Sequence, residues 1–142
     1  MHAEGQVVHF DSGADRTARS WVLGVNSNLP PDVNALWAHT VAGDFHARYS
    51  ALSRTYRYLI LNRLTRSALF RHRAWWVHRP LDASLMRAAA AHLIGEHDFS
   101  AFRAAGCQAS TPNRNLQVID VERQDEWLTV TVTANAFLQH MV

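Results

Sequence analysis

From Tyr49 to Asn62 the side chains alternate as they do on a β-strand, and this stretch constrains the fold more than any other. The alternation sends Tyr56, Tyr58 and Ile60 to one face and Thr55, Arg57, Leu59 and Leu61 to the other. A strand of this length needs hydrogen-bonded neighbours. Leu116 to Arg123 and Trp127 to Thr133 read as an antiparallel pair joined through Gln124-Asp125-Glu126. Gln6 to Phe10, Asn34 to Val41 and Ala74 to His78 read as shorter strands. Two helices are expected. One runs from Ala14 to about Val25, with Trp21, Val22 and Val25 at helical spacing and Ser12 or Asp15 as cap. The other runs from Asp82, a natural N-cap, to Ile94, with Leu85, Met86, Ala89, Leu93 and Ile94 as its apolar stripe and Gly95 just past its end. Pro30 and Pro31 keep Asn26 to Asp32 a loop. Glu96 to Pro112 reads as irregular, with Asp98 bonding nearby amides. Phe137 to Val142 begins a helical pattern.

The charge is unevenly laid along this frame. The chain has 142 residues and a formal net charge of only +2. Yet Arg48, Arg54, Arg57, Arg63, Arg66, Arg71, Arg73 and Arg79 all lie between Phe45 and Leu81, a segment without Asp or Glu. The other arginines share the rest of the chain with all 12 acids. Arginine forks bind phosphate and aromatic rings stack on bases. Ser53-Arg54-Thr55-Tyr56-Arg57-Tyr58 interleaves the two, so RNA is the first partner to consider. Arg54, two residues before Tyr56, shares its face; Arg57 does not.

Several classes fall away. Cys107 is the single cysteine, which rules out an intrachain disulfide and a cysteine cage for zinc. The 9 histidines show no pair with the spacing of a zinc-binding helix, so no metal is expected. Without a signal peptide or a long apolar run, the chain reads as cytoplasmic, with no membrane partner.

The motifs point further. His2-Ala3-x-Gly5-Gln6-Val7-Val8-His9-Phe10, Asn26-x-Asn28-Leu29-Pro30, Phe45-His46-Ala47-Arg48, Arg54-x-Tyr56-Arg57-Tyr58, Leu93-x-Gly95-Glu96-x-Asp98-Phe99 and Ala134-Asn135-Ala136-Phe137-Leu138-x-His140-Met141-Val142 follow one another in register. In these the chain resembles the tRNA pseudouridine synthase A family, which isomerises uridine in the anticodon stem-loop of tRNA. The resemblance implies an α/β (α+β) fold in which an antiparallel sheet is flanked by helices, built as two related halves around a basic cleft. Residues 1–44 would end the first half and residues 45–142 would form most of the second. It also implies tRNA as partner, a homodimer, and neither metal nor organic cofactor.

Residue by residue, the resemblance puts Tyr56 on the family's active-site tyrosine, whose ring stacks on the target uracil. It puts Leu138 on an apolar position beside that base. Tyr58 reads as core packing. Arg48 and Arg54 are the leading RNA contacts, and Arg114, in Ser110-Thr111-Pro112-Asn113-Arg114, is a loop candidate. The family's nucleophilic aspartate belongs to the motif G-R-T-D-x-G-V-H-A. Here His2-Ala3 match its last letters and Met1 stands at its valine, so the aspartate would precede Met1. The arginine expected to pair with it would follow Val142. The chain by itself is therefore expected to lack a catalytic residue and to be inactive. The alternative is a noncatalytic RNA-binding module using the same basic groove. A small-molecule α/β domain is a more distant rival, one that would show no salt-dependent affinity for RNA.

Overall fold

The computed structural model describes residues 3–142; Met1 and His2, the head of the first motif, lie outside the described residues. The chain forms two compact units, Ala3–Ser50 and Ala51–Val142.

In the first unit one helix forms, α1 (Ala18–Asn26). Its N-cap is Thr17, whose Oγ1 accepts the Ser20 N–H at 3.2 Å. The expected caps do not serve: Ser12 Oγ accepts the Ala14 N–H at 3.1 Å, in a turn ahead of the helix. Phe10 meets the Trp21 ring edge-on at 5.1 Å, and the Arg16 guanidinium lies 5.4 Å from the same ring. Neither strand expected here forms. Gln6 to Phe10 and Asn34 to Val41 have apolar residues but no backbone ladder among the described residues. The Asn26 side chain takes the place of a neighbouring strand: its Oδ1 accepts the Ala35 N–H at 2.7 Å and its Nδ2 donates to the Ala35 carbonyl at 2.9 Å.

The second unit is a five-stranded sheet with one helix packed on it. Its strands are β1 (Arg54–Asn62), β2 (Trp75–Val77), β3 (Gly95–Asp98), β4 (Asn113–Gln124) and β5 (Trp127–Ala134), in the spatial order β2-β1-β5-β4-β3. All neighbours are antiparallel except β1 and β2. The tight reversal between β4 and β5 places Asp125 at φ 53°, a conformation that Asp tolerates better than most residues. β3 corrects an expectation. Glu96-His97-Asp98 is an edge strand paired with Asn113 to Asn115, because backbone bonds to β4 override a composition that reads as loop.

The helix α2 (Ala83–Ala91) starts where expected. The Asp82 carboxylate accepts from the N–H groups of Ser84 and Leu85 and from the Ser84 hydroxyl, which hold its pKa below the usual value, the hydroxyl most of all. The buried stripe is only partly the one read from the sequence: Met86 and Leu93 pack inward, but Leu85, Ala89 and Ile94 are exposed. Ala83, Met86 and Ala90 pack on the sheet, whereas Leu85 is 69% exposed. Beyond the helix, Gly95 sits at φ +104° and opens β3. Phe137 to Val142 also differs: it forms a turn closed by the Met141 N–H on the Leu138 carbonyl, with His140 at φ 66°. No helix among the described residues is long and apolar enough to cross a membrane.

Two apolar clusters hold this unit. Ile60, Ala90, Val121 and Leu128 form one, and Phe99, Leu116, Val132, Ala134 and Leu138 the other. Ile119 and Val130 touch both. Leu128 has no exposed surface at all. We expect Leu128→Ala to cost about 2–5 kcal/mol, seen as a lower urea midpoint with an unchanged slope. A cost below about 1 kcal/mol would show that these strands do not depend on that contact.

Candidate nucleotide site

β1 presents Tyr56 opposite Val132 of β5, and the chain beyond β5 folds back over that tyrosine. Asn135 makes the fold-back. Its Oδ1 accepts the N–H groups of Asn115 at 3.0 Å and Ala136 at 2.9 Å, and its own N–H donates to the Asn115 carbonyl at 3.2 Å. Its carbonyl accepts Nη1 of Arg54 at 2.8 Å. One asparagine thus ties β4, the guanidinium at the start of β1 and the exit from β5. Phe137 then meets the Tyr56 ring edge-on at 5.1 Å, and Leu138 is buried in the cluster on which Tyr56 packs. The two positions expected to flank a base, Tyr56 and Leu138, are brought together.

A second segment braces the turn. The Ala104 N–H donates to the Gln139 carbonyl at 3.1 Å, and the Gln139 N–H donates to Cys107 Sγ at 3.4 Å. Arg103 Nη2 donates to the carbonyls of Cys107 and Ala109. The Cys107 thiol is held below its usual pKa, first by the Gln139 N–H, then by the Ala109 N–H, with the Arg103 guanidinium adding to them. Asp98 is engaged locally: its Oδ1 accepts the Ser100 N–H at 2.8 Å and the Ser100 hydroxyl, which lowers its pKa.

The other candidates fall in different places. Arg54 precedes Tyr56 on the same strand face. Arg48 belongs to the Ala3–Ser50 unit, where its guanidinium lies 5.7 Å from the Tyr49 ring and Tyr49 stacks on His46 at 4.2 Å. Arg114 is not in a loop. It is the second residue of β4, 9% exposed, with Nη1 donating to the carbonyls of Thr111 and Asn113 and a buried Nε that has no hydrogen-bond partner. Tyr58 is not core: it is 43% exposed and lines an apolar groove of about 310 Å³ with Trp75, Phe102, Phe137 and Met141. Among the described residues no three His, Cys, Asp or Glu side chains gather as metal ligands. Sequence reasoning missed Asn135, Phe137 and Cys107 as parts of this arrangement. The available signal was Asn135 between small residues directly after a strand, a common place for a side chain that bonds its own turn.

The sequence profile of tRNA pseudouridine synthase matches residues 89–142, which take in β3, β4, β5 and Leu138. The whole chain aligns with proteins named tRNA pseudouridine synthase A. It is 51% identical to that of Hydrogenovibrio crunogenus and covers 54% of it. It is 51% identical to that of Nitrosococcus oceani and 54% identical to that of Xanthomonas oryzae, covering 55% of each. The chain belongs to the tRNA pseudouridine synthase A family. It spans about half the length of the curated relatives it matches. Tyr56 lies outside the stretch that the family profile matches but inside the full-length alignments.

The thiol beside this cluster gives a direct check. Because N–H donors stabilise the thiolate, Cys107 should react with iodoacetamide along a pH profile whose midpoint lies below that of a cysteine in an unstructured peptide. A midpoint at or above the peptide value would show that the bracing bonds from Gln139 and Ala109 are absent in solution.

Proposed function

We propose that this chain supplies the base-holding wall and part of the RNA-binding surface of a tRNA pseudouridine synthase, the enzyme class that converts uridine to pseudouridine in the anticodon stem-loop. The convergence of Tyr56 and Leu138, far apart in sequence, on one apolar cluster at the fold-back after β5 carries this reading. A uracil turned out of an RNA loop would stack on the Tyr56 ring, with the Leu138 side chain beneath the wall. Stacking of one base on an aromatic ring is worth roughly 1–3 kcal/mol, enough to hold a flipped nucleotide and too little to break its glycosidic bond.

In this reading Arg48, Arg54 and Arg114 make phosphate contacts. Arg114 contributes a buried cation with no acidic partner among the described residues. The names of the relatives support tRNA as partner. Residues 1–44 and 45–142 would belong to two related halves around a basic cleft, in a protein that pairs with a second copy. The chemistry would come from the chain's partner elements rather than from the Tyr56 cluster. The groove beside Phe137 is lined by apolar and aromatic side chains, with no carboxylate among them to attack the ribose. The site residues themselves call for no metal or organic cofactor.

We therefore expect the 142-residue chain to release no tritium from tRNA containing 5-tritiated uridine. Turnover by this chain would mean that one of its own acids reaches the ribose, and the assignment of roles would fail. Binding should separate the two kinds of contact. For an anticodon stem-loop RNA, Tyr56→Ala should weaken affinity by about 1–3 kcal/mol without altering its salt dependence. Arg48→Ala should make the log affinity against log salt plot less steep by about one unit. The reverse pattern would assign the tyrosine to packing alone. RNA binding by a protein that also carries the family aspartate, with no turnover, would favour the noncatalytic module.

A further inference from the structure

The connection from β1 to β2 builds a second pocket at the edge of the sheet, with a volume of about 320 Å³. Buried Leu61 lies at its base, Phe70 and Trp75 offer rings, and Arg66, Arg71 and Ser67 offer polar groups. The connection is tied down at several points. The Trp76 Nε1–H donates to the Arg63 carbonyl at 2.9 Å, and the Ser67 hydroxyl oxygen accepts the Phe70 N–H at 3.2 Å. The Phe70 ring meets Trp127 edge-on at 4.8 Å. Glu126, the acid bonded to this connection, is already paired with Arg63 at 3.0 Å. No Asp or Glu lines the pocket, and among the described residues neither Arg66 nor Arg71 has an acidic partner.

Two free guanidinium groups beside exposed aromatic rings match one ligand chemistry: a phosphate attached to a flat ring. The volume is at the small end for a ligand pocket, about the size of one nucleotide. We infer that this pocket holds a single unpaired nucleotide of a bound RNA strand, its phosphate on Arg66 and Arg71 and its base against Trp75. It is distinct from the Tyr56 cluster, with which it shares no residue, and adjoins the groove beside Tyr58 and Phe137 through Trp75. RNA, rather than a free nucleotide, fits because Trp75 is 57% exposed and the pocket lies within the acid-free arginine segment. A single mononucleotide would bury little of itself there. A strand gains the release of counterions along its whole contact. The inference rests on the RNA-binding reading above, and the experiment separates the two.

The test is a tryptophan-fluorescence titration of the 142-residue chain with a single-stranded oligouridylate, with UMP and with inorganic phosphate. Arg66→Ala/Arg71→Ala and Trp75→Phe are compared with the unaltered protein, and far-UV circular dichroism checks their folding. The oligouridylate should quench the unaltered protein, and the quench should shrink in Trp75→Phe. The double arginine variant should bind at least about fivefold more weakly, with a salt dependence less steep by about one unit. UMP should bind at least about tenfold more weakly than the oligonucleotide, and phosphate more weakly still. Equal RNA affinity and salt dependence in the double variant would overturn the pocket while leaving the RNA-binding reading intact. UMP binding as tightly as the oligonucleotide would overturn the assignment to RNA. No binding of RNA by the unaltered protein would overturn the functional reading itself.

Discussion

The antiparallel pairing of β1 with β5, which runs from Arg54 opposite Ala134 to Leu61 opposite Trp127, fixes where every side chain of the candidate site can go. In this register Tyr56 stands opposite Val132, on the face where Phe99, Leu116 and Leu138 cluster. A slip of one residue would carry Tyr56 to the opposite face and bring Arg57 into the apolar cluster. That would bury a cation among leucines and phenylalanines, at a cost far larger than a register change could recover elsewhere. The apolar cluster and the position of the tyrosine therefore enforce one another. Leu128, directly opposite Ile60, anchors the far end of the same ladder.

At the near end of that ladder the polar bonds take over. Asn135 satisfies two backbone N–H groups with one side-chain oxygen, and its carbonyl receives the Arg54 guanidinium. The return of the chain over Tyr56 is held by these bonds, by the Gln139 to Cys107 and Ala104 contacts and by the burial of Leu138. The cationic segment is organised differently. Of its arginines, Arg63 is paired with Glu126, while Arg66 and Arg71 stand at a pocket with no acid. The same charge run thus gives Arg54 and Arg63 to bonds within the fold and sets Arg66 and Arg71 at the pocket.

Where residues decide structure through their immediate neighbours, the sequence was readable. Asp82 caps α2 because its carboxylate reaches amides two and three residues ahead. The β4–β5 reversal follows from Asp125 accepting a positive φ. The alternation in β1 was legible from Arg54 to Asn62, and with it the opposite orientation of Tyr56 and Arg57, although the expected strand began at Tyr49 and residues 49–53 pair with no other strand among the described residues. Gln6 to Phe10 and Asn34 to Val41 misled because apolar, extended sequence becomes a strand only when another backbone pairs with it. The Asn26 side chain took that role at Ala35. The helix stripe was read too wide: Met86 and Leu93 pack inward as expected, whereas Leu85 and Ile94 are exposed, because the angle of α2 on the sheet decides which apolar residues are covered.

The sequence by itself determined the local elements, the clustering of arginine away from acid and the family, because each is written in neighbouring residues or in motifs held in order. Only the tertiary structure decided that Glu96 to Asp98 is an edge strand, that Arg114 is buried and that Tyr56 meets Phe137 and packs on the cluster that holds Leu138. Each of these depends on a partner distant in the chain. Such partners are chosen by the backbone ladder and by the volume left between packed side chains, and neither is a property of any single stretch of sequence.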